Sequence, residues 1–384
     1  MQKKKKRVSS FVNNQFDFIL CITVLLLLAA GIIMVLSASA PSALSTTGNS
    51  YTYVKKQLIF GIVGLFVMLF LSKVDYRFYK KYYWQIYFAS WIILLLVLVP
   101  GLGVSVKGAT RWIGIGSLQF QPSELTKIGM IIFFAGYLTD HKDELHDFKK
   151  GFLLPLCFLI PPIGILFFVQ NHLSVSLVIC IIVLVIMFMS GCRLKHFVVV
   201  GVVGISLIAG VLGFLQVSGS GEDNFRLDRI STYFDPWADA QGTGYQTVQS
   251  LYAIGSGGMF GLGLGNSKQK YLYIPEPHND FIFSILAEEL GFLGCFLVIA
   301  LFAVFIWRGI LVAMRATDLF GTLVAVGVTT LIAVQAIINI AVVTATVPTT
   351  GMSLPFFSYG GTALLLLLAN VGILLNISRS SSKV

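Results

Sequence analysis

The chain has 384 residues, of which 56% are hydrophobic and 11% charged, with a mean hydropathy of +0.86. Soluble domains carry about 25% charged residues, so water is excluded as the main solvent of this surface, and several apolar runs of roughly 18 residues or more exclude a soluble protein with a large core. The net charge of +10 does not point to nucleic acid, because the basic residues segregate along the chain as they do in membrane proteins.

Residues 1–16 are a basic segment carrying Lys3 to Arg7, followed by an apolar run that predicts a first membrane helix over 17–37. The run Phe18–Leu36 is too long for a signal-peptide core of ~7–15 residues, so the cleavage-like triplet Ala38-Ser39-Ala40 is expected in a retained segment. Further helices are expected over 57–72, 84–100, 121–139, 152–169, 173–190 and 196–215. A long connection, 216–279, precedes three more at 280–307, 319–345 and 362–378, with a tail at 379–384. The fold class is therefore an all-α integral membrane protein of about ten transmembrane helices, in blocks 17–215 and 280–378, buried in a lipid bilayer. Most lysines and arginines fall in Lys3 to Arg7, 73–83, 140–150, 191–196, 308–318 and after 378. Fewer fall on the other side, at Lys55, Lys56, Lys107, Arg111, Arg226, Arg229, Lys268 and Lys270. The positive-inside rule then places both termini in the cytoplasm and 216–279 outside. The cysteines lie in or beside apolar runs without metal spacing and read as small hydrophobes.

The 216–279 loop carries Phe234, Trp237, Tyr245, Tyr252, Phe260, Tyr271 and Tyr273, which is not a disordered composition. Tyr245–Ile254 alternates Gln246, Gln249 and Ser250 with Val248, Leu251 and Ile254, as a short interfacial amphipathic helix would. The glycine run Gly255–Gly265 lacks the Lys-Ser/Thr ending of a phosphate loop and reads as a tight, close-packed turn. Neither a solenoid nor an inverted repeat is visible, which disfavours a typical secondary transporter.

Ionisable groups at membrane depth are costly, so each is a functional candidate. In QPSELTK, Pro122 and Ser123 suit a helix start, while Glu124 and Lys127, three apart, share a face and can pair. A structural ion pair and a ligand site are equally compatible with that spacing. Arg111-Trp112 adds a cation and an interfacial aromatic, and His172 lies at the turn between the fifth and sixth helices. Asp280 follows Pro275-Glu276-Pro277 and precedes Phe281-Ile282-Phe283, so its carboxylate sits where water is scarce, as a general base requires. Glu288, about 80° round that helix from Asp280, and Glu289, near the face opposite Asp280, read as structural first. Pro348–Gly361 is non-helical and is expected to wall the same cavity as Asp280.

These residues resemble the SEDS proteins of shape, elongation, division and sporulation, namely FtsW, RodA and SpoVE. The resemblance runs through Arg111-Trp112, Gln121-Pro122-Ser123-Glu124 with Lys127, Gln249-Ser250 with Gly255, and Gly257, Gly258, Gly261 and Gly263. It continues through Pro275-Glu276-Pro277-His278-Asn279-Asp280-Phe281, Glu288-Glu289 with Gly291, and Leu354-Pro355-Phe356 with Ser358-Tyr359-Gly360-Gly361. It spans about 17–378, and Asn266–Lys270 looks closer to the FtsW/SpoVE branch. Two positions depart: Asn171-His172 stands where the family often has Pro-Asp, and Asn279 where Thr is common.

The resemblance implies a peptidoglycan glycosyltransferase that polymerises lipid II, a disaccharide-pentapeptide on undecaprenyl pyrophosphate, in division or sporulation. It makes Asp280 the catalytic aspartate and Lys127, Glu124, Arg111, Ser358 and His278 the substrate-binding candidates. No residue is assigned to a metal, although a divalent cation (magnesium or manganese) joins Lys127 and Arg111 as a candidate for the pyrophosphate charge. The implied partner is a class B penicillin-binding protein, a single-span transpeptidase, expected on a face carrying Phe292, Leu297, Phe302 and Val304. The alternatives are a lipid II flippase using the same cavity and a non-catalytic division scaffold.

Overall fold

Apolar runs cannot leave backbone amides unpaired in hydrocarbon and must coil. The computed structural model describes residues 16–106, 109–115, 118–202, 232–271 and 273–380, and its membrane segments are helical. Asp17 caps the Leu20 amide to start α1 (Phe18–Thr47), which holds Ala38 and Ser39 buried in its interior. Then come α2 (Thr52–Leu71), α3 (Tyr83–Leu95), α4 (Pro122–Asp140), α5 (Phe148–Val169) and α6 (Leu173–Met189). Residues 194–202 form α7, and the rest of the helix expected over 196–215 lies outside the described residues. The long connection contributes α8 (Tyr245–Gly257), the expected amphipathic helix, before α9 (Ile282–Arg315), α10 (Leu319–Val343) and α11 (Gly361–Ser380). Among the described residues six helices are long and apolar enough to cross a membrane, with α3 and α6 as shorter apolar ones.

α4 is buried on almost every side and forms the centre of the molecule, against α3, α6 and α10. Around it α2 packs on α11, and α9 packs on α1, α8 and α10. An aromatic layer joins α3, α4 and α5: Tyr87 stacks on Phe133 at 4.0 Å, and its hydroxyl donates to Phe158 O at 2.6 Å.

Three features depart from the sequence reading. A small antiparallel sheet, β1 (Gly103–Val106), β2 (Ala109–Ile115) and β3 (Leu118–Phe120), fills the connection before α4. α9 is broken at Gly291, whose φ of 64° and ψ of −164° suit glycine. The glycine-rich loop fills the break: Leu262 and Gly263 amides donate to Glu288 and Glu289 carbonyls, and Phe292 and Leu293 amides donate to Gly258 and Met259 carbonyls. A Cβ on Gly261 would lie 2.1 Å from Glu289 O, so this approach requires glycine. Finally, Phe302 is not an outward residue; it is buried, with its ring 6.2 Å from Phe357. The exposed apolar strip of α9 runs through Phe292, Phe296, Leu297 and Trp307.

Candidate functional site

The site is assembled from four backbone pieces at one end of the helix bundle. The first is the start of α4. Gln121 is extended, Pro122 takes the first helical turn without losing a hydrogen bond, and Lys127 Nζ donates to Glu124 Oε1 at 2.7 Å. Lys127 is 1% exposed and Glu124 17%, so the expected pair forms and is nearly dry.

The second piece is β2 and the turn between α5 and α6. Arg111 Nε donates to Gln170 O at 3.0 Å and Arg111 Nη2 to Asn171 O at 2.6 Å. That grip fixes Asn171 at a φ of 50° and presents His172 to Gln121, with Nε2 to Nε2 at 2.9 Å. Burial, with Arg111 and Lys127 nearby, lowers the His172 pKa to about 3. His172 is therefore a neutral imidazole at neutral pH and does not supply the charge of the carboxylate often found there.

The third piece carries Asp280. Its backbone carbonyl accepts from Asn339 Nδ2 of α10 at 2.7 Å, and the same amide donates to Met352 O at 2.6 Å. One residue earlier, Asn279 O accepts from Ser358 Oγ at 2.7 Å, and one earlier still His278 O accepts from the Tyr359 amide at 2.8 Å. Three successive carbonyls are thus clamped, and the half-buried Asp280 carboxylate lies beside Gly351, where a Cβ would be 3.4 Å from Oδ2. The His278 ring lies 4.6 Å from Tyr53 and 5.7 Å from Tyr359, and burial lowers its pKa to about 4 against the opposing charge of Glu276.

The fourth piece is 348–360, which joins the others. The Ser174 hydroxyl at the start of α6 donates to Thr350 O. Ser358 Oγ also accepts from the Leu354 amide at 2.7 Å. Gln57 of α2 pairs with the segment at both ends of its amide, donating to Ser358 O at 3.3 Å and accepting from the Gly360 amide at 3.2 Å. A cavity of about 40 Å³, large enough for ordered water, is lined by Glu124, Gln335, Ser353, Ser358 and Tyr359 among others. The Pro348–Gly361 segment therefore lies against Asp280 at Gly351 and shares this cavity with Glu124, while Asp280 is not among the residues that line it.

The structure brings Asp280, Ser358 and His278 into one unit and Glu124, Lys127 and Arg111 into the neighbouring one. Ser358 and His278 spend their polar groups or faces inside the protein, holding the Asp280 turn. Sequence reasoning missed Asn339, Gln335 and Gln57, and gave Gln121 a place in the motif but no partner. Their signal was present: amides within apolar helices or at their ends usually have a specific partner. Among the described residues no three His, Cys, Asp or Glu side chains gather as a metal site.

The profile of the cell cycle protein family FtsW/RodA/SpoVE matches residues 18–383. The chain is 43% identical over 371 residues to stage V sporulation protein E of Bacillus subtilis, covering 95% of this chain and 97% of that protein. It is 39% identical to a probable peptidoglycan glycosyltransferase FtsW of Trichlorobacter lovleyi, covering 95% and 93%. Among solved structures it resembles a chain of a peptidoglycan synthase complex that coordinates polymerization and crosslinking, with a TM-score of 0.77, 26% identity and coverage of 95% and 98%. It also resembles the rod shape determining protein RodA of Thermus thermophilus, with a TM-score of 0.66, 26% identity and coverage of 96% and 98%.

Proposed function

Because the chain belongs to the FtsW, RodA and SpoVE family of cell cycle proteins, we infer that it is a peptidoglycan glycosyltransferase of the bacterial cytoplasmic membrane, polymerising lipid II. Support comes from the match to named glycosyltransferases along nearly the whole chain. The observation that carries the mechanism is the clamp on Asp280: three consecutive backbone carbonyls held by Tyr359, Ser358 and Asn339. Such fixation is what a general base needs, because a base acts only within hydrogen-bond reach of the proton it removes.

In the reaction the acceptor sugar hydroxyl attacks the anomeric carbon of the lipid-linked donor. A new C–O bond forms, the C–O bond to undecaprenyl pyrophosphate breaks, and the hydroxyl proton passes to the Asp280 carboxylate. The pyrophosphate leaves with its electron pair, and Lys127 and Arg111 are the nearby cations that would stabilise it. Magnesium and manganese sites commonly use one or two carboxylates plus phosphate oxygens; if Asp280 held such an ion in place of acting as the base, the ion would supply charge neutralisation and Asp280→Asn would also weaken lipid II binding. Glu124 orients Lys127 through their 2.7 Å contact. Both termini are cytoplasmic in this reading, which puts the site on the side where lipid-linked precursor is polymerised.

The partner is a class B penicillin-binding protein, a reading supported by the likeness to the chain of a synthase complex. Its single membrane helix would lie along the exposed strip Phe292, Phe296 and Leu297 of α9.

The test is lipid II polymerisation by the purified chain with its partner. Asp280→Asn keeps the clamp but removes the basicity, and should lower kcat about 10²–10⁴-fold while lipid II affinity is retained. Wild-type turnover by that variant would remove Asp280 from the chemistry.

A further inference from the structure

Glu288, Glu289 and Lys270 are charged, almost fully buried, and unused by the chemistry above. Adjacent helical residues diverge by about 100°, yet both carboxylates end on the turn 265–270, because that turn wraps the helix. Glu288 accepts from Ser267 Oγ at 2.5 Å and from the amides of Lys268 at 2.9 Å and Gln269 at 3.3 Å. Glu289 accepts from Lys270 Nζ at 2.8 Å and from Ser37 Oγ of α1 at 2.6 Å. Lys270 Nζ also donates to Gly265 O at 2.5 Å and Ser37 Oγ at 3.1 Å.

A buried ion pair is expensive to desolvate, and well-packed apolar residues often replace one without loss of stability. Its position suggests a geometric role. The break at Gly291 removes helix continuity as the device that aims the outer stub, 282–290, which begins two residues after Asp280. That stub is held by the backbone bonds to 258–263 and by the ionic cluster, which ties it to α1. On the α1 side the turn borders an open groove of about 350 Å³, lined by Ile33, Leu36, Tyr51 and Leu264 and by Ser37 and Lys270 themselves.

We propose that Lys270, Glu288, Glu289 and Ser37 form a latch that positions Asp280 by fixing the angle of the broken end of α9. They are positioning residues, since none touches the reacting atoms. A tilt of the stub moves the Asp280 turn against its clamp, and misplacement by 1 Å can cost about 10²-fold in rate. The kinetic half of the proposal rests on the glycosyltransferase reading; the structural half does not.

The test uses the full chain with its partner and two readouts, steady-state kinetics and amide hydrogen exchange. Lys270→Met with Glu289→Leu removes both charges at similar volume. It should fold with a modest drop in thermal midpoint, because the Ser267 amide and Ser37 Oγ lose Glu289 as acceptor, lower kcat about tenfold or more, and leave KM for lipid II within about twofold. Amides of 282–290 should exchange about tenfold faster while those of 292–315 are unchanged. Ser37→Ala should lose a few-fold in kcat, and Ser37→Thr, which keeps the hydroxyl, should recover it. Wild-type exchange in the double variant overturns the latch, and faster exchange with wild-type kcat overturns its positioning role. Should the double variant fail to fold, equal kcat in Ser37→Ala and wild type overturns the proposal. Absence of polymerisation by the wild-type complex would overturn the glycosyltransferase reading, and the exchange data would still decide the latch.

Discussion

Asn339→Leu tests the clamp without touching the carboxylate. Asn339 is fully buried, and its amide nitrogen donates to Asp280 O at 2.7 Å and Met352 O at 2.6 Å. Leucine fills a similar volume and offers neither donor. Each buried carbonyl left without a partner costs about 1–3 kcal/mol, so the two together cost about 2–6 kcal/mol, with relaxation favouring the lower end. Some of that cost is relieved when the Asp280 turn shifts toward another donor, and that shift is what catalysis registers. A displacement near 1 Å corresponds to about 10²-fold in rate. Lipid II polymerisation, normalised to the folded fraction by size exclusion, should therefore show kcat down about 10²-fold with KM little changed. Asn339→Asp should be worse than Leu, because it sets a carboxylate against two carbonyl oxygens. A folded Asn339→Leu protein with wild-type kcat would refute the idea that α10 positions Asp280.

Lys127→Met alone strands Glu124 in a nearly dry site and should destabilise the protein by about 3–5 kcal/mol, seen as a lost folded peak. Lys127→Met with Glu124→Gln should fold yet polymerise lipid II about 10²-fold more slowly; full activity in that double variant would end the substrate role of Lys127. Both His278 and His172 have folded pKa values, about 4 and about 3, below the unfolded histidine value near 6.5. The unfolded chain then binds more protons in that window, so their contribution is complete above pH ~6.5 and declines as pH falls toward ~4, by up to about 1.4 kcal/mol per unit per histidine. The thermal midpoint should drop between pH 7.5 and pH 5, and His278→Gln should flatten the slope; a flat wild-type profile would contradict the burial argument. For topology, a reporter fused after Gly242 should read extracytoplasmic and one after Arg315 cytoplasmic, and reversal at either site would invert the orientation.

Features carried by local pattern were legible in the sequence, and features carried by long-range partners were not. Apolar run length gave away the helices, and the three-residue spacing of Glu124 and Lys127 gave away their pair. The sheet was legible in principle. Val106 pairs with Ala109 and Ile115 with Leu118, so only Lys107-Gly108 and Gly116-Ser117 separate the strands, and glycine-containing two-residue links between alternating runs signal hairpins. The break in α9 was harder, because Gly291 in an apolar run is compatible with an intact helix until a second backbone, 258–263, comes close enough to replace its hydrogen bonds. Glu288 and Glu289 show the limit most clearly. Helical geometry alone sends them to different faces, and their convergence depends on the path of a turn some twenty residues upstream. The same holds for Ser358 and His278. Their motif marks them as part of the site, but only the fold shows that Ser358 donates to the Asn279 carbonyl and that the His278 carbonyl is itself held by the Tyr359 amide. A motif here records which residues must meet, while the hydrogen-bond partners determine which of them can face a substrate.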